Sequence, residues 1–356
     1  MVDITVNPLQ SSLLNAAMLG ANTAGANQRI SALAQNRILE QLQDNLDNYS
    51  SPYSTKINLL NERASKLTDL KFSIMEGQKA LDASTEKFKE IDGILFDMKT
   101  YIEKADANPA DSNYYAYLHN EAIKKLNKLT DKASFGETNL IGNNGRANFR
   151  ENFATNSKSL KVSEGGSSIT LQGVYLGTDD FITDTDGNKW LVNRTSNSIQ
   201  AYTSYPKEAV NEETSLAGFT LDSFNDSTDA VTFTVDGVQY NGTVTRGGLG
   251  VMNKHLYDNF GTADGRSRAA DDITAARSKL RTNMALLESQ KTMVDQRLGR
   301  VTQLADDLKA EEFSFIQRDL TEKAAFQRSL SIKATLSLQN LSLLGDNTNN
   351  MLMDFA

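Results

Sequence analysis

The feature of the sequence that most constrains the fold is a row of apolar residues that recur at every seventh position between Pro52 and Pro109. A repeat of seven places its members along one side of an α-helix, where they meet a partner that runs beside the helix. Proline is tolerated in the first turn of a helix but breaks its interior, so the two prolines mark the boundaries of this helical region. The row consists of Leu60, Leu67, Ile74, Leu81, Phe88, Leu95 and Ile102.

A second apolar row lies towards the C-terminal end, in a stretch without proline after Pro206. Apolar residues at helical spacing also predict a shorter helix over 122–133, which folds back beside the N-terminal helix. Because the two rows lie towards opposite ends of the chain, we predict that their helices pair with each other. The members of the second row recur at spacings of three, four and seven: Leu280, Leu287, Val294, Leu298, Val301 and Leu308.

The middle of the sequence, roughly 142–261, is rich in glycine, aspartate, serine and threonine, and its apolar residues alternate. Val231 to Val235, followed by Asp236-Gly237 and a second alternating run, predicts a β-hairpin with a type I′ turn. We therefore predict a fold that is mainly α with a β-rich insertion. In this fold the long N- and C-terminal helices pair in a coiled-coil-like bundle that carries a central β domain.

Domain boundaries follow from these patterns. Residues 1–50 and 311–356 are predicted to form terminal helices, and residues 51–146 with 262–310 to form the helical core. Residues 147–261 are predicted to form the β-rich domain.

The two ends of the chain carry apolar residues that have no evident partner within one molecule. Such segments become ordered when neighbouring molecules bury their apolar side. We therefore predict a self-association interface at the two ends. Its members are Leu9, Leu13, Leu14, Leu19, Ile30, Leu33, Leu330, Ile332, Leu336, Leu338, Leu341, Leu343 and Leu344.

The composition offers little material for catalysis or metal binding. The chain has no cysteine and only two histidines, His119 and His255, which lie far apart in the sequence. Residues 184–187 imitate part of a calcium loop, but Thr195 stands where the bidentate glutamate belongs, so a polar β-turn is the better interpretation. We predict a protein that is not an enzyme and has no catalytic residue, no cofactor and no metal.

Net charge and hydropathy restrict the partners. The formal charge of −8 opposes binding to nucleic acid and to anionic membranes. No stretch reaches the roughly 18–20 apolar residues that span a bilayer, and residues 1–28 lack the pattern of a secretory signal peptide. We therefore expect no nucleic acid and no membrane among the partners, and either cytoplasmic residence or export through a dedicated machine.

Several motifs occur in order along both ends of the chain: Gly-Gln-Lys-Ala-Leu at 77–81, Glu-Ile-Asp-Gly-Ile-Leu at 90–95, an acidic stretch at 305–312 and Leu-Ser-Leu-Leu at 341–344. Between them, residues 133–142 read Ala-Ser-Phe-Gly-Glu-Thr-Asn-Leu-Ile-Gly. In this order and spacing the motifs resemble those of the bacterial flagellin family. The resemblance implies a loop motif formed by Phe135, Gly136, Thr138, Asn139 and Leu140, with Phe135 and Leu140 anchored in the helical core.

The resemblance also implies a function. It suggests a secreted structural subunit that self-assembles into the extracellular flagellar filament for motility, with terminal helices in an inner tube and a variable central domain outside. The implied partners are further copies of the chain, the flagellar export apparatus, a secretion chaperone and the filament cap. Two alternatives stay open, namely a hook–filament junction protein and a secreted coiled-coil effector or tip protein that does not polymerise.

Overall fold

The computed structural model describes residues 26–142, 156–193, 196–203 and 208–353. The helices of these ranges are α1 (Ala26–Asp47), α2 (Ser54–Thr85), α3 (Lys87–Ala107), α4 (Ser112–Asp131) and α5 (Ala263–Met353). The strands are β1 (Ser134–Phe135), β2 (Thr138–Asn139), β3 (Ser157–Lys161), β4 (Ser168–Gln172), β5 (Asp180–Asp184), β6 (Lys189–Asn193), β7 (Ser198–Tyr202), β8 (Thr214–Ser215), β9 (Phe219–Asn225), β10 (Ala230–Val235) and β11 (Val238–Arg246).

Internal contacts divide the chain into two compact units. One unit combines residues 1–65 with 304–356, and the other comprises residues 66–303. Helices α2 and α5 contribute to both units, whereas all eleven strands belong to the second.

The centre of the second unit is a curled antiparallel sheet of seven strands in the order β8-β7-β6-β5-β11-β10-β9. The predicted hairpin is confirmed, because Val235 pairs with Val238 across Asp236 and Gly237, which adopt positive φ angles of 51° and 80°. Side chains alternate along β10, so that Val231, Phe233 and Val235 are all buried on one side of the sheet.

The helices of the second unit bury the members of the predicted apolar row from Leu67 to Ile102. Helix α2 ends at Thr85 and α3 begins at Lys87, so the helical region between the two prolines is interrupted at Glu86. Helix α4 packs against α3 and begins at Ser112, before the predicted Ala122. It presents Ala116, Ile123 and Leu126 to the core.

The predicted fold class is wrong. The chain is mixed α and β, with an extended antiparallel sheet at its centre, and its helices do not form a clear coiled coil. The physical reason lies in the second apolar position of each heptad, three or four residues from the row already described. In a coiled coil this position is also apolar and buried. Here Gly77 and Ser84 occupy it in the N-terminal helices, and Lys291 and the 38% exposed Met284 occupy it in α5.

At Gly77 a β-hairpin takes the place that the partner helix would have in a coiled coil. The β3–β4 hairpin lies against α2 at this point, and a Cβ atom on Gly77 would come within 2.2 Å of Leu160 Cδ1. The far end of the hairpin is tied to α5, since the backbone N–H of Gln172 donates to Gln290 Oε1 at 2.8 Å and Gln290 Nε2 donates to the Gln172 carbonyl at 3.0 Å. At Gly77, therefore, α2 packs against a hairpin where a coiled coil would have a helix.

We expect Gly77→Ala to destabilise the second unit by about 1–3 kcal/mol, because Leu160 must leave its position to admit the new methyl group. The measurement is the free energy of unfolding in urea. Gly93→Ala is the matched control. Gly93 is also helical, but its added Cβ would meet no atom within 4 Å, so it should stabilise the protein by about 0.5–1 kcal/mol. Equal stability of the two variants would contradict this account of Gly77.

Candidate self-association surface

In the first unit, the late part of α5 carries an aromatic and charged face that contacts residues 49–56. The ring of Phe326 lies 5.1 Å from that of Tyr49, and the ring of Phe315 lies 5.7 Å from that of Tyr53. Both contacts hold the connection between α1 and α2 against α5. We call this set of residues the aromatic clasp.

Charged groups complete the aromatic clasp. Tyr53 donates its hydroxyl hydrogen to Glu322 Oε1 at 2.8 Å, and Lys56 pairs with Glu311 at 3.3 Å. The hydrogen bond to Glu322 raises the pKa of Tyr53, and partial burial adds to the effect. Burial followed by the charges of nearby carboxylates raises the pKa of Tyr49. Both phenols therefore stay protonated and uncharged at neutral pH.

The opposite face of the same helix is apolar and exposed. Phe313 is 61% exposed and Leu320 is 57% exposed, and Ala324 follows one turn later. Two residues along an α-helix correspond to about 200° of rotation, so Phe313 points away from the side on which its neighbour Phe315 joins the clasp. We call Phe313, Leu320 and Ala324, which share this face, the exposed stripe.

A shallow groove runs beside this stripe. Leu320, Ala324, Arg328 and Ile332 form one wall at intervals of four residues, and the smaller Thr321, Ala325 and Ser329 form the other. Rows spaced by four are the ridges that interlock when two helices pack at an angle of about 50°. Small side chains on one wall let another helix approach closely. The groove therefore has the geometry of a helix-docking surface.

The structure places the residues of the predicted self-association interface unevenly. Leu33, Ile332 and Leu336 are exposed by 66%, 60% and 54%, whereas Leu330 and Leu338 are half-buried. Leu9, Leu13, Leu14 and Leu19 lie outside the described residues, as do the side chains of Ile30, Leu341, Leu343 and Leu344. The self-association interface therefore stays a prediction.

The predicted helical-core residues lie in both units. In the second unit Leu67, Ile74, Leu81, Phe88, Leu95, Ile102, Leu280, Leu287, Val294 and Val301 are buried, and Leu298 is half-buried. In the first unit Leu60 and Leu308 are buried.

The predicted loop motif is only partly anchored. Leu140 is fully buried, whereas Phe135 stays 38% exposed, with the ammonium of Lys79 5.2 Å from its ring centre. Gly136 turns the β1–β2 hairpin with a φ of 58°. Thr138 is half-buried, and the half-buried Asn139 accepts hydrogen bonds at Oδ1 from the backbone N–H groups of residues 141 and 142.

The apolar pattern did not reveal the polar contacts between helices. Arg277 of α5 donates two hydrogen bonds to Asp92 of α3, at 2.8 and 3.1 Å, and these bonds lower the pKa of Asp92. Lys291, which interrupts the second apolar row, pairs with Asp82 of α2. For Lys291 the sequence did carry a signal, because a charged residue within an otherwise apolar row requires a partner.

The calcium-like segment is a turn between β5 and β6. Asp184 Oδ1 accepts from the backbone N–H groups of Asp186 and Asn188, and its Oδ2 accepts from Asn188 Nδ2 and Trp190 Nε1. The carboxylate is therefore fully engaged by protein donors, which confirms the β-turn; Thr195 lies outside the described residues. Among the described residues no cluster of acidic or histidine side chains has the geometry of a metal site.

None of the described helices combines the length and the apolar character that are needed to cross a membrane. The sequence matches no protein-family model and no curated protein. The likeness to flagellins therefore depends on the motifs alone.

We expect Phe315→Ala to open the aromatic clasp and expose residues 48–53 to protease, because Phe315 contacts both Tyr53 and Lys56. The measurement is the rate of limited proteolysis, with the cleavage sites identified by mass spectrometry. Phe313→Ala is the matched control, since it removes a neighbouring phenylalanine from the exposed face and should leave the rate unchanged. Equal acceleration by both variants would contradict the assignment of the two faces.

Proposed function

We propose that this chain is a structural subunit of the flagellin type, which assembles with copies of itself through its terminal helices into an extracellular filament. The observation that supports the proposal best is the exposed stripe, which lies opposite the aromatic clasp on α5. The order of flagellin-like motifs along both ends is the second support.

The energetic argument starts from the cost of leaving large apolar groups in water. Burying an exposed leucine or phenylalanine contributes about 1.5–3 kcal/mol, so Phe313 and Leu320 of the stripe favour association. A contiguous row on one helix face is more informative than scattered apolar residues, because it presents a continuous surface to a partner. The groove beside the stripe offers the small residues that another helix needs for close contact.

The same proposal assigns the remaining roles. The chain acts by packing and not by catalysis, and it leaves the cell through the flagellar export apparatus. A secretion chaperone covers the subunit before export, and the filament cap receives it afterwards. The seven-stranded sheet and its loops take the role of the variable outer domain. Neither cofactor nor metal takes part.

The experiment compares the assembly of purified chains by light scattering and electron microscopy. We expect the double variant Phe313→Ser/Leu320→Ser to raise the concentration needed for assembly by at least about tenfold, since two buried apolar side chains are lost. Both side chains are exposed in the single chain, so the free energy of unfolding should stay the same.

Phe72→Ser is the matched control, because Phe72 is 62% exposed but lies on α2 in the second unit. It should assemble like the unmodified chain. An unmodified chain that remains monomeric at every concentration, even with filament fragments as seeds, would exclude the filament subunit and favour the non-polymerising effector. Equal impairment by Phe72→Ser would show that the stripe has no specific role.

A further inference from the structure

Both histidines of the chain meet at one short segment of the second unit, although they are far apart in the sequence. The segment, residues 252–260, connects the last strand of the sheet to α5 and contains a short 3₁₀ helix, Lys254–Phe260. His255 belongs to the segment itself. His119 of α4 reaches it from outside, with its Nε2 3.2 Å from the Met252 carbonyl oxygen.

The segment is held by buried polar and aromatic contacts. The backbone N–H of Lys254 donates to Asn120 Oδ1 at 2.9 Å, and the Asn253 side chain donates to Asp180 Oδ1 at 2.7 Å. The Tyr257 hydroxyl donates to Asp272 Oδ2 at 2.7 Å and accepts from the backbone N–H of Met252 at 3.0 Å. These bonds connect the segment to α4, β5 and α5.

The backbone of the segment is strained. Asp258, Asn259 and Phe260 adopt positive φ angles of 51°, 49° and 64°, a region that side-chain-bearing residues rarely occupy. Each such residue costs of the order of 1 kcal/mol or more, so three in succession depend on the surrounding contacts. The segment is therefore closed only while its attachments hold it.

His255 is the weak attachment. Its side chain is 4% exposed and lies edge-on to Phe219 of β9, and neither ring nitrogen has a hydrogen-bond partner. A neutral imidazole tolerates this apolar site, but a charged one would have two N–H donors without acceptors. Burial and the positive charge of Lys254 lower the pKa of His255 to about 4.

We propose that residues 252–260 form an acid-sensitive latch, which neutral His255 keeps closed and which opens when that imidazole takes up a proton. In the open segment the ring meets water and binds a proton with its ordinary pKa of about 6.5. Because the closed segment binds the proton more weakly than the open one, opening becomes easier as the pH falls below about 6.5, and the effect levels off near the lowered pKa.

Other charged and titratable groups face the segment from the elements packed against it. Lys254 is adjacent and adds to the repulsion of a charged imidazole. Arg266 of α5 donates to the Phe260 carbonyl, and Asp180 of β5 accepts from Asn253. Burial raises the pKa of Asp272 of α5, so protonation of this carboxyl favours the closed form and works against opening as the pH falls. From α4 the titratable group is His119, which hydrogen-bonds the segment itself.

The experiment follows hydrogen exchange of the full chain by mass spectrometry at about pH 7.5 and pH 5, corrected for the intrinsic effect of pH on exchange. A shift of the His255 pKa from 6.5 to about 4 predicts that opening of residues 252–260 becomes roughly 30-fold more favourable at pH 5. Fluorescence of Trp190, the only tryptophan, reports whether the sheet stays folded. Unchanged protection of the segment at pH 5 would overturn the proposal.

Two variants separate the histidines. His255→Leu places an apolar side chain in an apolar site and should keep the segment protected at pH 5, whereas His119→Gln should retain the pH dependence. Opening of His255→Leu at pH 5 would overturn the proposal. Nuclear magnetic resonance of the unmodified chain gives an independent measurement, because only two histidine signals exist. The signal of His255 should titrate below pH 5, and a midpoint near 6.5 would equally overturn it.

Discussion

The second unit depends on a few buried hydrogen bonds between side chains of α4 and the backbone of two loops. Asn127 donates to the Thr178 carbonyl at 3.0 Å and accepts from the Thr178 N–H at 2.7 Å, while Asn120 accepts from the N–H of Lys254. A buried backbone group without a partner costs more than a satisfied one contributes, so these amides help to decide where the loops lie. Through them the sheet and the helices share one core.

Apolar periodicity located the helical regions and most of the buried seam residues, because burial of one side of a helix follows from local spacing, but it did not give the break at Glu86 or the start of α4 at Ser112. Leu67, Ile74 and Leu81 are buried as their spacing indicates, and Asp236-Gly237 makes its turn because few other pairs tolerate two positive φ angles. Local spacing does not predict which element packs against a row. The partner of Gly77 is Leu160, which is distant in sequence, and no local pattern announces such a contact.

The candidate self-association surface also depends on contacts that local sequence patterns do not show. The sequence identified Ile332 and Leu336 as apolar residues without a partner, and both are exposed. It did not identify Phe313 and Leu320, because Phe313 and Phe315 look equivalent in the sequence although they lie on opposite sides of the helix. The contacts of Tyr49 and Tyr53 distinguish the two sides, and those contacts join residues that are remote along the chain.

The missing side chain of Gly77 also determines which changes in chain length α2 can accept. Leu160 lies against the helix surface at Gly77, while Leu81 one turn later is buried. Removing or adding one residue between Gly77 and Leu81 would rotate the position of Gly77 by about 100° around the helix axis relative to the apolar row. Evolution must therefore preserve the number of residues between Gly77 and Leu81.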